Sequence, residues 1–210
     1  MVQSAHGPHD LPAMLVLGVD TGALRAGAVL VETVGPRLVC AWRLEATKAL
    51  AIPQRLLEVS AWARSVAEQA RSRGARVAHV ELPMISPGGI AAQQVFCALG
   101  VTIEALAAQE LEVRLLMART VRSQHRAIVP RDWPGPASKR RAEGKRRVGV
   151  ALRLLLGAAA ETLSEDERDA ALTALSRPAA TGPIYRPKQK LLPLRPAVTR
   201  RPSRRPAAEG

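Results

Sequence analysis

The chain has 210 residues and a formal net charge of +13, with 47% hydrophobic but only 2% aromatic residues. That length suits one folded domain whose core is built from Leu, Val and Ala rather than rings. Two cysteines, Cys40 and Cys97, both in apolar segments, argue against a disulfide framework and make the cytoplasm the simplest compartment. No apolar run is expected to reach bilayer-spanning length.

Residues 1–13, MVQSAHGPHDLPA, lack a basic start followed by an apolar stretch, so a signal peptide is not expected. They read as a frayed lead, disordered, and His6 and His9 within it as no metal site. MLVLGVD (14–20) is a short apolar run ending in Asp-Thr-Gly and reads as a buried strand with a turn after it. AGAVLVET (26–33) and RLVCAWRL (37–44), bracketed by Gly22 and Gly35-Pro36, complete an antiparallel meander. Pro53 opens a helical pattern that runs to about Arg73, where Gly74 ends it. RVAHVELP (76–83) is a strand stopped by its proline. Residues 90–108 read as a helix, 111–117 as a strand, and 138–156 and 164–177 as two further helices, with a Pro/Gly loop at 130–136. The last segment, 178–210, holds eight Lys/Arg, seven Pro and one Glu. It has too little apolar matter for a core and is expected to be a disordered basic tail. The order β-β-β-α-β-α-β-α-α implies an α/β fold, a mixed five-stranded sheet with helices on both faces, over residues 14–177.

Basic charge is concentrated in the tail and in residues 119–147, which carry ten Lys/Arg against Asp132 and Glu143. With a sequence pI near 11.3, this points to a polyanionic partner, most simply nucleic acid. An anionic membrane surface fits less well, because the basic segments lack bulky apolar anchors.

Against this background LSEDERDAAL (163–172) gathers acids. Ser164 reads as an N-cap, with Glu167 closing a capping box. Acids in a first turn also suit the helix dipole. Asp166 and Asp169, three residues apart, share one helix face with Cβ atoms about 5–6 Å apart, while Glu165 and Glu167 are expected to point elsewhere. Asp169 lies beside the apolar run that the helix buries, and a carboxylate there needs a partner. Two strands also end in a carboxylate, Asp20 and Glu81. If those strands are parallel neighbours, the two groups meet at one end of the sheet. Four carboxylates together repel and raise some pKa values. Mg²⁺ prefers such hard oxygen ligands, and two ions about 4 Å apart can activate a water and stabilise a leaving oxygen.

These residues carry a resemblance. LGVDTGALRAGAVLVE, VAHVELP, GVTIEALAAQELEV (100–113), GKRRVGVALRLLL (144–156) and DERDAALTAL (166–175) resemble, in order, segments of the RuvC family of Holliday junction resolvases, within the RNase H-like superfold. The resemblance implies an RNase H-like fold and a homodimeric, Mg²⁺-dependent endonuclease that nicks four-way DNA junctions, Mn²⁺ being able to substitute, with two ions per site. It implies Asp20, Glu81, Asp166 and Asp169 as metal ligands and Lys145 as the basic residue near the scissile phosphate, with Lys139 as its rival. Arg119, Arg122, Arg126, Arg140, Arg141 and Arg146 in the basic stretch are the expected DNA contacts, together with Met84. Met84 stands where the family often has an aromatic wedge, and Thr21 where the family has proline. The dimer is expected to form through the apolar face of the 90–108 helix. Three other readings use the same features: a non-catalytic DNA-binding protein of this fold, a nuclease of this fold acting on hybrids or flaps, and a fragment of a sugar-kinase or actin-like ATPase. The last also begins with a strand ending Asp-x-Gly but has no need of the Asp166/Asp169 pair.

Overall fold

A computed structural model describes residues 14–83, 89–178 and 184–185. The three expected strands form β1 (Leu15–Asp20), β2 (Arg25–Glu32) and β3 (Arg37–Glu45), paired antiparallel in sequence order. Helix α1 (Ile52–Ser72) carries Pro53 in its first turn and closes at Gly74, whose φ of +99° suits a residue without Cβ. Strand β4 (Val77–Leu82) then pairs with β1 in parallel, and β5 (Glu112–Met117) pairs in parallel with β4. Helix α2 (Ile90–Ala108) connects those two strands. Helix α4 (Arg140–Leu156) follows a single 3₁₀ turn at Ala137–Lys139, and α5 (Glu165–Ala174) closes the domain.

Apart from a short 3₁₀ segment at Gly157–Glu161, two elements depart from the sequence reading. A seven-residue helix, α3 (Ala118–Gln124), continues directly from β5. It has no capping side chain, so the sequence carries no start signal and reads as basic loop. A two-residue strand, β6 (Ile184–Tyr185), pairs antiparallel with β5. It lies inside the segment expected to be a disordered tail, and there the expectation does not hold. The full order is β3-β2-β1-β4-β5-β6: the five expected strands, with β6 added at one edge.

Alternation along the strands splits the core in two. Leu17, Val19, Ala28, Leu30, Ala78, Val80 and Val113 face α1 and α2, meeting Val66, Ala67, Ala70, Leu99 and Leu106. Val16, Val29, Val31 and Leu116 face the other way, toward Val121, Val148, Leu152 and the α5 residues Ala170, Ala171, Leu172 and Ala174. Helix α2 corrects one expectation, since by length and composition alone it could cross a bilayer. Here its Ala98, Leu99, Thr102, Ala105 and Leu106 are buried in the fold.

Helix α5 lies unusually close to the sheet, and two glycines permit it. A Cβ on Gly18 would stand 2.0 Å from the Ala170 carbonyl oxygen, and one on Gly27 would stand 2.4 Å from the Asp166 carbonyl carbon. Any side chain at either position would push the helix away. Gly27 pairs with Asp20 across the β1–β2 ladder, so the start of α5 is pressed against the end of β1 where the first carboxylate stands.

Candidate active site

Asp20 is the last residue of β1, and Glu81 lies one residue beyond the Val19–Val80 pair on the parallel neighbour β4. Both belong to the strand face that packs on α5. The capping box expected at the start of α5 is present: the Ser164 amide donates to Glu167 Oε2 at 2.6 Å and the Glu167 amide to Ser164 Oγ at 3.4 Å. That cap starts the helix one residue before its acids, and its first two turns deliver Asp166 and Asp169. All four carboxylates line one open cleft of about 940 Å³.

The site is electrostatically strained in a specific way. Burial, followed by the charges of Glu81, Asp169 and Asp166, holds the Asp20 carboxyl well above its ordinary range. Burial and the Asp169 charge push Glu81 to about 7, with Arg122 and a hydrogen bond from Thr173 acting against them. Asp169 is raised mainly by burial, which Arg122 opposes. Cations stand on the acids of α5, one from each of three other elements. Arg25 of β2 lies 3.7 Å from Asp166, Arg122 of α3 lies 3.6 Å from Asp169, and Lys145 of α4 lies 2.5 Å from Glu165. Lys145 thereby holds Glu165 below the usual carboxylate range.

Two of these groups were not singled out in the sequence. Glu165 was expected to point away; it lines the cleft. Its signal was available, since residues 165 and 169 are i and i+4 on one helix face. Arg25 opens β2 and so stands at the same sheet end as Asp20, but nothing local marks it as part of a site. Arg131, also on the cleft wall, had no separate signal within the basic stretch.

The expected DNA contacts divide. Arg119, Arg122, Arg140, Arg141 and Lys145 line the cleft, whereas Arg126, Lys139 and Arg146 are not among its lining residues. Arg146 is drawn onto Glu143 at 2.7 Å, which also takes Arg147. Of the two rival lysines, then, Lys145 is the one on the cleft wall. Met84 lies outside the described residues.

Among the described residues no three acidic, thiol or imidazole side chains are drawn together closely enough to hold a metal ion as they stand. The donor chemistry fits one nonetheless. The carboxylates offer only hard oxygen, as Mg²⁺ or Mn²⁺ requires. Glu81 is buried and Asp20 half-buried beside like charges, and Arg122 is the cation acting on both. A divalent ion would supply the missing positive charge.

No protein-family model and no curated protein matches the chain. Solved structures do. Thermus thermophilus RuvC in complex with a Holliday junction substrate is 20% identical, with a TM-score of 0.61 over 77% of this chain and 90% of that one. A second Thermus thermophilus RuvC structure is 18% identical, with a TM-score of 0.59 over 77% and 92%. At these identities the likeness establishes architecture, and the architecture of this chain is the α/β, RNase H-like fold of RuvC.

Proposed function

We propose that this chain is a divalent-metal-dependent DNA endonuclease that resolves four-way junctions or related branched DNA. The observation that carries the reading is the assembly of Asp20, Glu81, Asp166 and Asp169 on one cleft whose other charged residues, Glu165 apart, are all basic. Duplex-binding charge alone gives no reason to bury carboxylates at the centre of a cationic surface, since each costs free energy there.

The four carboxylates would hold Mg²⁺, or Mn²⁺ in its place, as two ions. When bound, these supply a water activated for attack on phosphorus and stabilise the leaving oxygen. The protein's own groups do the rest. Arg25, Arg122 and Lys145 already stand beside the acids, so they can turn to a phosphodiester lying over those acids. Arg119, Arg140 and Arg141 extend the positive wall along which the backbone lies. Arg126, Lys139 and Arg146 would meet phosphates farther out, and Met84 would be a further DNA contact.

A junction with two-fold symmetry calls for a two-fold protein. Helices α1 and α2 pack together and expose Leu57, Ile90 and Phe96, at 70%, 68% and 47%, a surface suited to an isologous homodimer. Phe96→Glu should give a monomer by light scattering at micromolar concentration and uncouple the paired incisions; an unchanged dimer would move the interface elsewhere.

The decisive assay compares a labelled four-way junction with a duplex of equal length, in Mg²⁺ and in EDTA. Metal-dependent cutting of the junction in preference to the duplex is the expected result. Tight junction binding with no cutting in either Mg²⁺ or Mn²⁺ would make the chain a binding protein of this fold.

A further inference from the structure

Strand β4 holds α5 at two points, both on Thr173. Thr173 is fully buried, and its hydroxyl lies 3.3 Å from Glu81 Oε2 and 2.9 Å from the Asp169 carbonyl oxygen. Its own carbonyl accepts from His79 Nδ1 at 3.3 Å. His79 and Glu81 are two residues apart on β4, so they project from the same face. His79 is buried at 3% exposure, and its Nε2 has no hydrogen-bond partner among the described residues. Its ring therefore spends its one bond on Thr173.

A threonine in a helix often returns its hydroxyl hydrogen to the carbonyl four residues back, and the Asp169 contact has that form. The second acceptor is what sets Thr173 apart. Among the described residues no other hydrogen bond reaches the Glu81 carboxylate. The hydroxyl has one hydrogen, and its two acceptors are the backbone of one acidic residue of the cleft and the side chain of another. We infer that Thr173 is a positioning residue for the metal centre, holding Oε2 of Glu81 against α5 so that the carboxylate presents a fixed edge beside Asp20 and Asp169. This inference rests on the nuclease reading above only in taking Glu81 as a metal ligand. Glutamate has three rotatable side-chain bonds, and a ligand left to wander among rotamers binds an ion more weakly. Partners of this kind typically matter by 10–100-fold in metal affinity or activity.

Thr173→Val keeps the shape and removes the donor; Thr173→Ser keeps the donor. Mn²⁺ uptake by DNA-free protein, read from the loss of the free-ion paramagnetic resonance signal, is measured beside junction affinity, junction cleavage and thermal melting. The expected result is Mn²⁺ binding about 10-fold weaker and cleavage about 10–100-fold slower in Thr173→Val, with junction affinity within about twofold. Thr173→Ser should stay close to the wild type in every readout. An unchanged Mn²⁺ midpoint in Thr173→Val overturns the inference and leaves the nuclease reading standing. Equal losses in both variants, in step with a lowered melting temperature, overturn it in favour of plain packing. Wild-type protein that takes up Mn²⁺ but cuts no DNA overturns the nuclease reading, while the two variants still decide the role of Thr173. Wild-type protein that takes up no Mn²⁺ overturns both.

Discussion

The two faces of the sheet use the same strands differently. Toward α1 and α2 the strands present Leu17, Val19, Ala78, Val80 and Val113, apolar to the end. Toward α5, β1 presents Val16, then Gly18, then Asp20, and β4 presents His79, then Glu81. This second face begins as core and becomes a site within two residues. A strand can serve both purposes because its period of two keeps the changes on one side from disturbing the other. The cost falls on α5, which must satisfy buried polar groups along one flank while sealing a core along the next.

The largest expected effects are at the polar end of the α5 face. Asp20→Asn, Glu81→Gln, Asp166→Asn and Asp169→Asn should each lower junction cleavage by on the order of a hundredfold or more, while gel-shift affinity holds or rises because negative charge is lost. Cleavage at the wild-type rate in any two of these variants would break the assignment. Opposed substitutions on β1 sharpen the contrast. Leu17→Ala opens a cavity on the α1/α2 face and should cost about 2–5 kcal/mol in denaturant melts, with cleavage retained wherever the protein is folded. Gly18→Ala forces a Cβ into the α5 backbone. It should cost about 1–3 kcal/mol and also reduce cleavage in the folded protein, because moving α5 moves Asp166 and Asp169. If both variants lose stability alone, the close approach of α5 does not position the site.

A smaller effect is expected in stability against pH without metal. Glu81 has its folded pKa raised to about 7 from an ordinary 4.5. The stability it contributes is present below its unfolded pKa and is lost as pH rises through 7. Glu81→Gln should therefore stabilise the EDTA-treated protein by about 2 kcal/mol near pH 8 and have little effect near pH 4.5. His79, on the same face, has its pKa lowered to about 4 by burial. It acts in the other direction, so that stability falls as pH drops from 6.5 toward 4. A variant no more stable than the wild type at pH 8 would mean that Glu81 is not strained in the free protein. The smallest effect concerns the segment beyond β6. A chain ending at Tyr185 keeps β6 and loses all eight basic residues of 186–210. If half of them meet phosphates, the log–log salt slope of DNA binding should flatten by about 3–4, equally for junction and duplex. A loss confined to the junction would assign branch recognition to that segment.

Much of this molecule was legible one element at a time. Apolar runs and turn residues located β1 to β5 to within a residue or two, because strand and helix periods are local properties. Asp20 and Glu81 stood out as carboxylates ending buried strands. Ser164 with Glu167 announced the start of α5, and Asp166 with Asp169 shared a face by helix geometry alone. What depended on one element meeting another was not legible. Helix α3 has no cap to mark it, and β6 exists only because β5 offers it an edge. The pairing of Lys145 with Glu165 follows from the packing of α4 on α5, and the choice of Lys145 over Lys139 on the cleft wall follows from how α4 is laid down. Gly18 and Gly27 read in sequence as ordinary small residues within strands. Only the packed structure makes them the two places where a helix backbone comes too close for a Cβ, and that contact carries the acids of α5 to the ends of β1 and β4.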